Sequence, residues 1–407
     1  MTISFDGLNE KQLEYGSHRV LPAAQTLAKI EPLKQRFGIT RLANVTGLDS
    51  IGIPVTLAIR PNSRSVAVSQ GKGVTLAQAK VSALMEAIEI WHAENFSGQV
   101  LFGKQKDIKL SSPTIQTNRL PPVKGKTFDH NTPMLWVNGK DLISGREVLI
   151  PYEMVHADYT RPVQPAHGYF PASTNGLASG NTKLEAVCHA IAEVVERDAL
   201  SLWHASISNQ NTMRRINLQS IENQECMQLI EAYAKSNLDC GVWDITSDTG
   251  LATILCLVRE NKSNTGHIGL GSGCHVDHHI ALRRALTEAA QTRLNYISGA
   301  RDDLGLSEYD AEGLDGKYAF ADMLFTAKSE SISISDVPSQ SFPTLSDDLE
   351  HMINQLKKVS VEEIGWVDLT RQEYGIAVAR VIIPGLEAPH DDAAYTPGPR
   401  AKQIGEL

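Results

Sequence analysis

The chain has 407 residues, of which 42% are hydrophobic and 21% charged, an ordinary balance for globular proteins. This balance excludes a disordered or low-complexity chain, and the length predicts one large domain or two to three ordinary ones. The formal net charge of -9 argues against a general electrostatic grip on nucleic acid or on an anionic membrane. Without a long apolar run or a basic, apolar leader, we expect neither a membrane-spanning helix nor a secretory signal.

The five cysteines predict no cross-linked framework. They lie at 188, 226, 240, 256 and 274, an odd number at long spacings. A disulfide framework normally has an even number, and a structural zinc site needs close pairs such as Cys-x-x-Cys. We therefore expect reduced, mostly buried thiols in a cytoplasmic protein.

In chain order, an amphipathic helix is expected from Glu10 to about Phe37, and short β-branched strands follow. Long helices are then predicted over about 75–96, 182–204 and 277–297, and shorter ones over about 220–236 and 347–358. Strands are expected between these helices, and the Ser-rich segment 329–346 is expected to be a surface loop. The alternation predicts an α/β or α+β protein, with 1–37 as an N-terminal helical segment and 38–407 as the main domain.

The three long helices share one short pattern, Ala-aliphatic-x-Glu-x-x-Glu/Gln. Its copies are 83–89, 190–196 and 285–291. A glycine lies thirteen positions before the first glutamate in the first two copies and fifteen before it in the third. This self-similarity predicts three related glycine–helix units packed around one another.

The acids of these helices are predicted to point together, because residues three or four apart share a helix face. They are Glu86 and Glu89 on the first helix, Glu185, Glu193 and Glu196 on the second, and Glu288, which shares a face with Arg284, on the third. Apolar residues flank them, so burial and mutual repulsion require a compensating cation. Oxygen-only clusters suit Mg²⁺ or Ca²⁺.

Three alternatives stay open at this point. Glu-x-x-Glu on a helix is often a solvated face paired with lysine or arginine. A di-iron carboxylate site normally needs Glu-x-x-His from two helices, where this chain has Glu or Gln. In the segment 69–73, a lysine between glycines ahead of a helix can approach phosphate, and a plain turn fits equally well.

Long stretches of the chain resemble the YcaO family of ATP-dependent peptide-modifying enzymes. They are VTGLDSIGIPV (45–55), RPNSRSVAVSQGKG (60–73), SALMEAIE (82–89), STNGLASGNTKLEAVCHAIAEVVERDAL (173–200) and RRALTEAAQTR (283–293). The resemblance covers about residues 38–400. It implies the YcaO fold, in which mixed strands and long helices surround one site for ATP and Mg²⁺ without a Walker A loop.

The resemblance also assigns roles to single residues. In the family, the carboxylates coordinate Mg²⁺ that bridges the ATP phosphates, and arginines contact phosphate. The implied metal ligands are Glu86, Glu89, Glu185, Glu193, Glu196 and Glu288. The expected nucleotide contacts are Ser82, Asn181, Arg197 and Arg284, the last two also catalytic, together with Ser69 and Lys72 of the glycine turn.

The activity implied by the resemblance is attack of a nucleophile on a backbone amide, whose oxygen is phosphorylated by ATP and leaves as phosphate. An external sulfur donor would give a thioamide, and a Cys, Ser or Thr side chain of the substrate would give an azoline ring. Azoline-forming members often end in PxPxP, which this chain does not complete at Pro397-Gly398-Pro399. The segment VIIPGLE with the ending PGPRA resembles stand-alone members that work with a TfuA protein in thioamidation.

Several expectations concern partners. We expect a peptide or protein substrate, a TfuA-like or E1-like partner protein, and a homodimer from family habit. Amidine formation is a further fate of the activated amide. A catalytically silent scaffold is the contrasting class of function, and it is disfavoured because a silent homologue would be expected to lose some of the matched carboxylates.

Overall fold

Mixed strands and long helices make up the computed structural model, which describes residues 5, 9–14, 17–162, 168–208, 213–260, 267–391 and 395–405. The strands are β1 Gln12–Glu14, β2 Ser17–Arg19, β3 Arg41–Asn44, β4 Val55–Ile59, β5 Val68–Lys72, β6 Val100–Lys104, β7 Pro133–Asp141, β8 Glu147–Pro151, β9 Leu177–Gly180, β10 Met213–Ile216, β11 Leu238–Asp244, β12 Thr253–Glu260, β13 Gly269–Cys274, β14 Ser329–Ile332, β15 Gly365–Asp368 and β16 Ala377–Ile382. The expected mixed class of fold is therefore confirmed.

The long helices lie where the sequence predicts them. The helices are α1 Ala23–Ile30, α2 Leu76–Glu94, α3 Gln105–Ile108, α4 Lys183–Ser208, α5 Gln224–Lys235, α6 His278–Ser298, α7 Ala311–Thr326, α8 Leu345–Lys358 and α9 Pro399–Gly405. A capping box between Thr75 and Gln78 starts α2, and the Asp277 side chain caps α6 by accepting from the His279 N–H. These caps supply partners for N–H groups that the first helical turn leaves free.

In each of three sheets, an edge strand is followed along the chain by a long helix. The three-stranded sheet has the order β3-β4-β5 and the five-stranded sheet the order β13-β12-β11-β10-β14. The third sheet has the order β6-β7-β15-β16-β9, with β8 beside β7. Thus β5, β9 and β13 are edge strands, and they precede α2, α4 and α6. This confirms the three glycine–helix units that the repeat predicts.

Glycines allow each of these strands to lie directly against its helix. A Cβ atom at Gly71 would lie 2.8 Å from the Ala83 Cα, and one at Gly180 would lie 2.7 Å from the Ala186 nitrogen. At Gly271 it would lie 2.7 Å from the carbonyl carbon of Glu288. Any side chain at these positions would push helix and strand apart, so the glycines fix where the acids of the helices stand.

One large part of the hydrophobic core surrounds α4. Its residues Val187, Ile191 and Val195 are fully buried and belong to one cluster with Leu349 and Leu356 of α8. Close packing on these sides leaves the acids of α4 one direction in which to point, away from the core.

The N-terminal region differs from the helix expected from Glu10. Strands β1 and β2 pair antiparallel, and helix begins only at Ala23, after Pro22. The reason is long-range pairing, because Glu10 forms a bridge with Thr344 at the start of α8. Extended backbone here satisfies its hydrogen bonds with a distant segment, which local periodicity does not reveal.

Further stretches depart from expectation. The segment 329–346 begins with β14, which pairs parallel with β10, so the first part of the expected surface loop belongs to a sheet. Helices α7 and α9 were not predicted. The division at residue 37 stays a prediction.

Lys11 anchors the N-terminal region to α8. Its Nζ lies 2.7 Å from Asp348 Oδ1, and the two side chains are only 1% and 3% exposed. Burial raises the pKa of Asp348 to about 6, although Lys11 opposes the rise. Each partner of this buried pair therefore needs the other, because removing one would leave the other charge buried and unpaired.

We expect Lys11→Met to destabilise the protein by about 3 kcal/mol at pH 8, because Asp348 is left buried and unpaired. The loss should shrink at pH 5.5, since protonation neutralises Asp348 in the folded variant. Urea unfolding at the two pH values measures both effects. Adding Asp348→Leu should recover most of the loss, and an equal loss at both pH values would contradict the expectation.

The described residues contain no helix long and apolar enough to cross a membrane. All five cysteines are free thiols, and four of them are buried. This agrees with the expectation of reduced, mostly buried cysteines.

Candidate active site

A cavity of about 520 Å³ lies where the three glycine–helix units meet. Eleven of the twelve residues expected from the sequence line it: Lys72, Ser82, Glu86, Glu89, Asn181, Glu185, Glu193, Glu196, Arg197, Arg284 and Glu288. Ser69 is the exception. Side chains alternate along β5, so Gln70 and Lys72 reach the cavity whereas Ser69 is buried on the other side.

The three units are joined in a cycle by polar contacts between the helix of one and the strand of the next. Each contact uses the second polar position of the repeated pattern. They join Glu89 Oε1 to the Ser179 hydroxyl at 2.6 Å, Glu196 Oε1 to the Ser272 hydroxyl at 2.6 Å, and Gln291 Nε2 to the Gln70 carbonyl at 3.2 Å. The polar side chains Glu89, Glu196 and Gln291 therefore close the ring around the cavity as well as line it.

Three of the cavity acids bind their protons unusually tightly. Burial raises the pKa of Glu86 to about 7, against the attraction of Arg301. Burial also raises the pKa of Glu89 to about 8, and nearby Glu86 and Glu193 add to the rise. The pKa of Glu193 is raised by burial as well, with Arg197 opposing. These carboxylates repel one another in a poorly hydrated space, which is the condition that a divalent cation relieves.

The opposite balance holds at Glu288. Burial disfavours its charge, yet Lys72 and Arg197 outweigh burial and lower its pKa. Lys72 forms an ion pair with Glu288, which places the last residue of β5 inside the cavity. Arg284 lies 3.9 Å from Glu196 Oε2. The cavity thus combines carboxylates with six cationic side chains among the described residues on its wall: Arg19, Lys72, Arg197, Arg283, Arg284 and Arg301.

Glu185 is engaged by the N-terminal region. Its carboxylate accepts from Arg19 Nη1 at 3.1 Å, from the Val20 N–H at 3.1 Å and from the Asn181 side chain at 3.2 Å. Thr26 donates to Asn181 Oδ1 at 3.0 Å. Residues 19–26 therefore form part of the cavity wall, and Glu185 faces a protein cation.

Sequence reasoning missed Arg19 as a site residue. It lies 166 positions from Glu185, in a segment expected to be helical. It also contacts His189 Nδ1 at 2.8 Å, and His189 has a pKa well below its ordinary value because of burial and of Arg284 and Arg19. The sequence offered no signal for Arg19, but it did for His189, which follows Glu185 by four positions and therefore shares its helix face.

The donors present fit ATP and Mg²⁺. Carboxylate oxygens are the ligands that Mg²⁺ prefers, and Glu86, Glu89, Glu193 and Glu196 all line the cavity. Lys72, Arg197 and Arg284 offer N–H donors suited to phosphate oxygens. The cavity volume lies within the range of small-molecule sites.

We expect the metal-free protein to lose stability as the pH rises from about 7 to 8.5, above the range in which buried histidines with lowered pKa values such as His189 give the opposite trend. Glu86 and Glu89 hold protons in the folded chain that the unfolded chain releases near pH 4.5, so the folded state binds more protons in this window. A loss of about 1–2 kcal/mol follows over this range. Urea unfolding in EDTA measures it.

Saturating Mg²⁺ with ATP should reduce that dependence, because the cation replaces the protons. The stabilisation by Mg²⁺ with ATP should be larger at pH 8.5 than at pH 6. Glu86→Gln/Glu89→Gln, which lacks both titrating groups, serves as the comparison. A flat stability profile in EDTA would contradict the expectation.

A YcaO family profile, described as an ATP- and Mg²⁺-binding cyclodehydratase, matches residues 70–387. An uncharacterized protein of Methanothermobacter thermautotrophicus is 33% identical over 372 residues, covering 89% of this chain and 94% of the relative. Another, named for its place in the tfuA 3′ region of Rhizobium leguminosarum bv. trifolii, is 31% identical over 391 residues, covering 92% and 89%.

Solved structures share the fold. YcaO from Methanopyrus kandleri, bound with AMPPCP and Mg²⁺, has a TM-score of 0.74 at 21% identity, covering 97% of this chain and 99% of its own. A heterocyclase in complex with substrate and cofactor has a TM-score of 0.78 at 22% identity, and this chain spans 55% of its length. The matched profile and the shared fold show that this chain belongs to the YcaO family of ATP-dependent, Mg²⁺-binding enzymes.

Proposed function

We propose that this protein activates a backbone amide of a peptide or protein substrate with ATP, and that a sulfur donor converts the amide into a thioamide. The observation that carries amide activation is the full set of six carboxylates around one cavity. The thioamide product is favoured by the relative named for the tfuA 3′ region and by the ending of the chain. We further propose a TfuA-type partner, a homodimer and a cytoplasmic location.

The proposed roles follow from the cavity. Glu86, Glu89, Glu193 and Glu196 would hold Mg²⁺, and Lys72 and the two arginines would face phosphate oxygens. When bound, ATP with Mg²⁺ supplies a phosphoryl group that turns the amide oxygen into a phosphate leaving group. The carbon–sulfur bond forms, the carbon–oxygen bond breaks, and the oxygen departs on phosphate. Arg197, held near Glu193 and Glu196, would offset the negative charge that develops.

Azoline formation is the alternative, supported by structural neighbours that are heterocyclases. The C-terminal region bears on it because α9 packs on α4. Arg400 donates to Asp198 at 3.0 and 2.9 Å, and Asp198 is fully buried beside Arg197. Glu387 accepts from the Gly398 N–H at 2.8 Å. Gly398 and Arg400 thus support the site from behind, through Glu387 and Asp198.

A non-catalytic scaffold is the second alternative. A scaffold has no need of several buried acids with raised pKa values, each of which costs folding free energy. Retaining them is typical of a site that binds a cation. The complete carboxylate set therefore favours the enzyme.

The test is mass spectrometry of a candidate substrate incubated with this protein, ATP, Mg²⁺ and sulfide, with and without a TfuA-like partner. A gain of about 16 Da at one backbone amide, oxygen replaced by sulfur, is the expected result. A loss of about 18 Da at Cys, Ser or Thr would instead establish cyclodehydration. No modification and no ATP turnover would support the scaffold.

A further inference from the structure

Uncharged amide side chains form a cluster at one part of the cavity wall, made of Gln70 on β5 with Gln291 and Asn295 on α6. Gln70 is only 2% exposed. Both its Nε2 and its Oε1 lack a hydrogen-bond partner among the described residues, as do Gln291 Oε1 and Asn295 Oδ1. Buried amide atoms are normally paired, so four unpaired ones in one cluster indicate a missing partner.

The amide cluster lies beside the acids expected to hold the metal. The Gln70 N–H donates to Glu86 Oε2 at 3.3 Å, and Gln291 Nε2 donates to the Gln70 carbonyl at 3.2 Å. Gln291 and Asn295 follow Glu288 by three and seven positions, so they continue its face of α6. A group bound here would lie next to Glu86, one of the carboxylates that would hold Mg²⁺.

The chemistry of the amide cluster differs from that of the rest of the cavity. A glutamine presents an N–H donor and a carbonyl acceptor side by side, and a neutral ligand with the same pair in reverse satisfies both. A peptide backbone amide is such a ligand. Phosphate or a metal ion would leave either the donor or the acceptor unpaired, at the cost that unpaired buried groups carry.

We propose that Gln70, together with Gln291 and Asn295, binds the backbone amide of the substrate peptide and places it beside the carboxylates. This inference rests on the proposed amide-activating function and names the subsite that receives the reacting amide. The third copy of the repeat has Gln291 where the other copies have glutamate. On this proposal, the glutamine is there because it binds a neutral group.

A nucleobase also pairs through a donor and an acceptor, but the cavity offers it a different place. Arg284 and Gln291 are seven positions apart, which corresponds to about 10 Å along α6. At the Arg284 end, His189 lies 3.3 Å from the guanidinium and contacts Arg19, and Leu21 and Ala23 add apolar wall. Apolar surface suits the faces of a base, so we place the base at the Arg284 end of α6. The amide cluster is then free to bind the peptide.

The experiment uses N-acetylglycine N-methylamide as the probe, added to the protein with Mg²⁺ and a non-hydrolysable ATP analogue. Saturation-transfer NMR should detect the probe on the wild type, with a signal about fivefold or more weaker in Gln70→Met and in Asn295→Leu. Calorimetric Kd values for the ATP analogue should stay within about twofold. N-acetylglycine methyl ester, which lacks one N–H, should bind more weakly than the diamide.

Gln105→Met is the matched control. Gln105 is fully buried but paired, since its Nε2 donates to Thr114 and its Oε1 accepts from Thr117, and it lies outside the cavity wall. This variant should lower the melting temperature and leave probe binding unchanged. Gln70→Met should not lower the melting temperature, because it removes two unpaired groups.

Two results would overturn the inference: a probe signal equal in wild type and both variants, or an analogue Kd weakened about tenfold by Gln70→Met, which would assign the cluster to the base. Probe binding needs no catalysis, so it is separable from the proposed function. If the wild type forms a thioamide and Gln70→Met forms it with unchanged KM for the peptide, the inference alone fails. If the wild type binds the probe but modifies no peptide, the proposed function alone fails.

Discussion

Glu193→Gln is expected to reduce peptide-dependent ATP turnover about 1,000-fold, roughly 4 kcal/mol of transition-state stabilisation. The glutamine keeps the shape of the side chain and removes one negative charge from a cluster that needs all of them to hold Mg²⁺. Stability in the absence of metal should be unchanged or higher, since burial of this acid raises its pKa. ADP release with substrate and Mg²⁺, together with thermal unfolding in EDTA, measures both effects.

Glu153→Gln provides the comparison, because Glu153 is also a buried acid. It lies outside the main cavity, and its carboxylate accepts from the N–H groups of Gly168, Tyr169 and Phe170. We expect this variant to lose stability and to keep its turnover. Turnover of Glu193→Gln within about tenfold of the wild type would refute the proposed role of the carboxylates.

Gly271→Val is expected to destabilise the protein by about 5 kcal/mol or more, enough to leave much of it unfolded. At Gly271 even a single methyl would overlap the backbone of α6 at Ala285, Glu288 and Ala289. Backbone atoms in a packed helix cannot move aside as a flexible side chain can, so β13 and α6 must separate. Urea unfolding monitored by circular dichroism measures the loss.

Gly47→Val tests whether the effect comes from this close approach. A Cβ at Gly47 meets no atom within 4 Å. We expect a change within about 1 kcal/mol at that position. Similar losses in the two variants would mean that the strand–helix approach at Gly271 is not what the fold depends on.

The central part of the site could be predicted because it is encoded locally. The spacing of Glu193 and Glu196 places both on one face of a helix. Apolar neighbours such as Ile191 and Val195 indicate that the helix is buried. The same short-range logic places the helix cap at Thr75. Because the pattern occurs three times, it also indicates that the acidic faces of the three helices meet at one site. A single copy of the pattern would not have indicated this.

The rest depended on contacts that no local pattern contains. Arg19 reaches Glu185 only because β2 lies against α4, and Glu10 is extended only because it bridges to Thr344. Ser69 does not line the cavity although Gln70 and Lys72 do, since the sequence shows alternation but not which face of an edge strand meets the cavity. Asn295 carries no motif at all.

Helix α4 is held at Glu185 and at Asp198 by segments from near the two ends of the described chain. Arg19 reaches Glu185, and Arg400 reaches Asp198 beside Arg197. An affinity tag or fusion partner attached near either segment would therefore act on the site itself. Material for assays should carry its tag on a cleavable linker, and activity should be compared before and after cleavage.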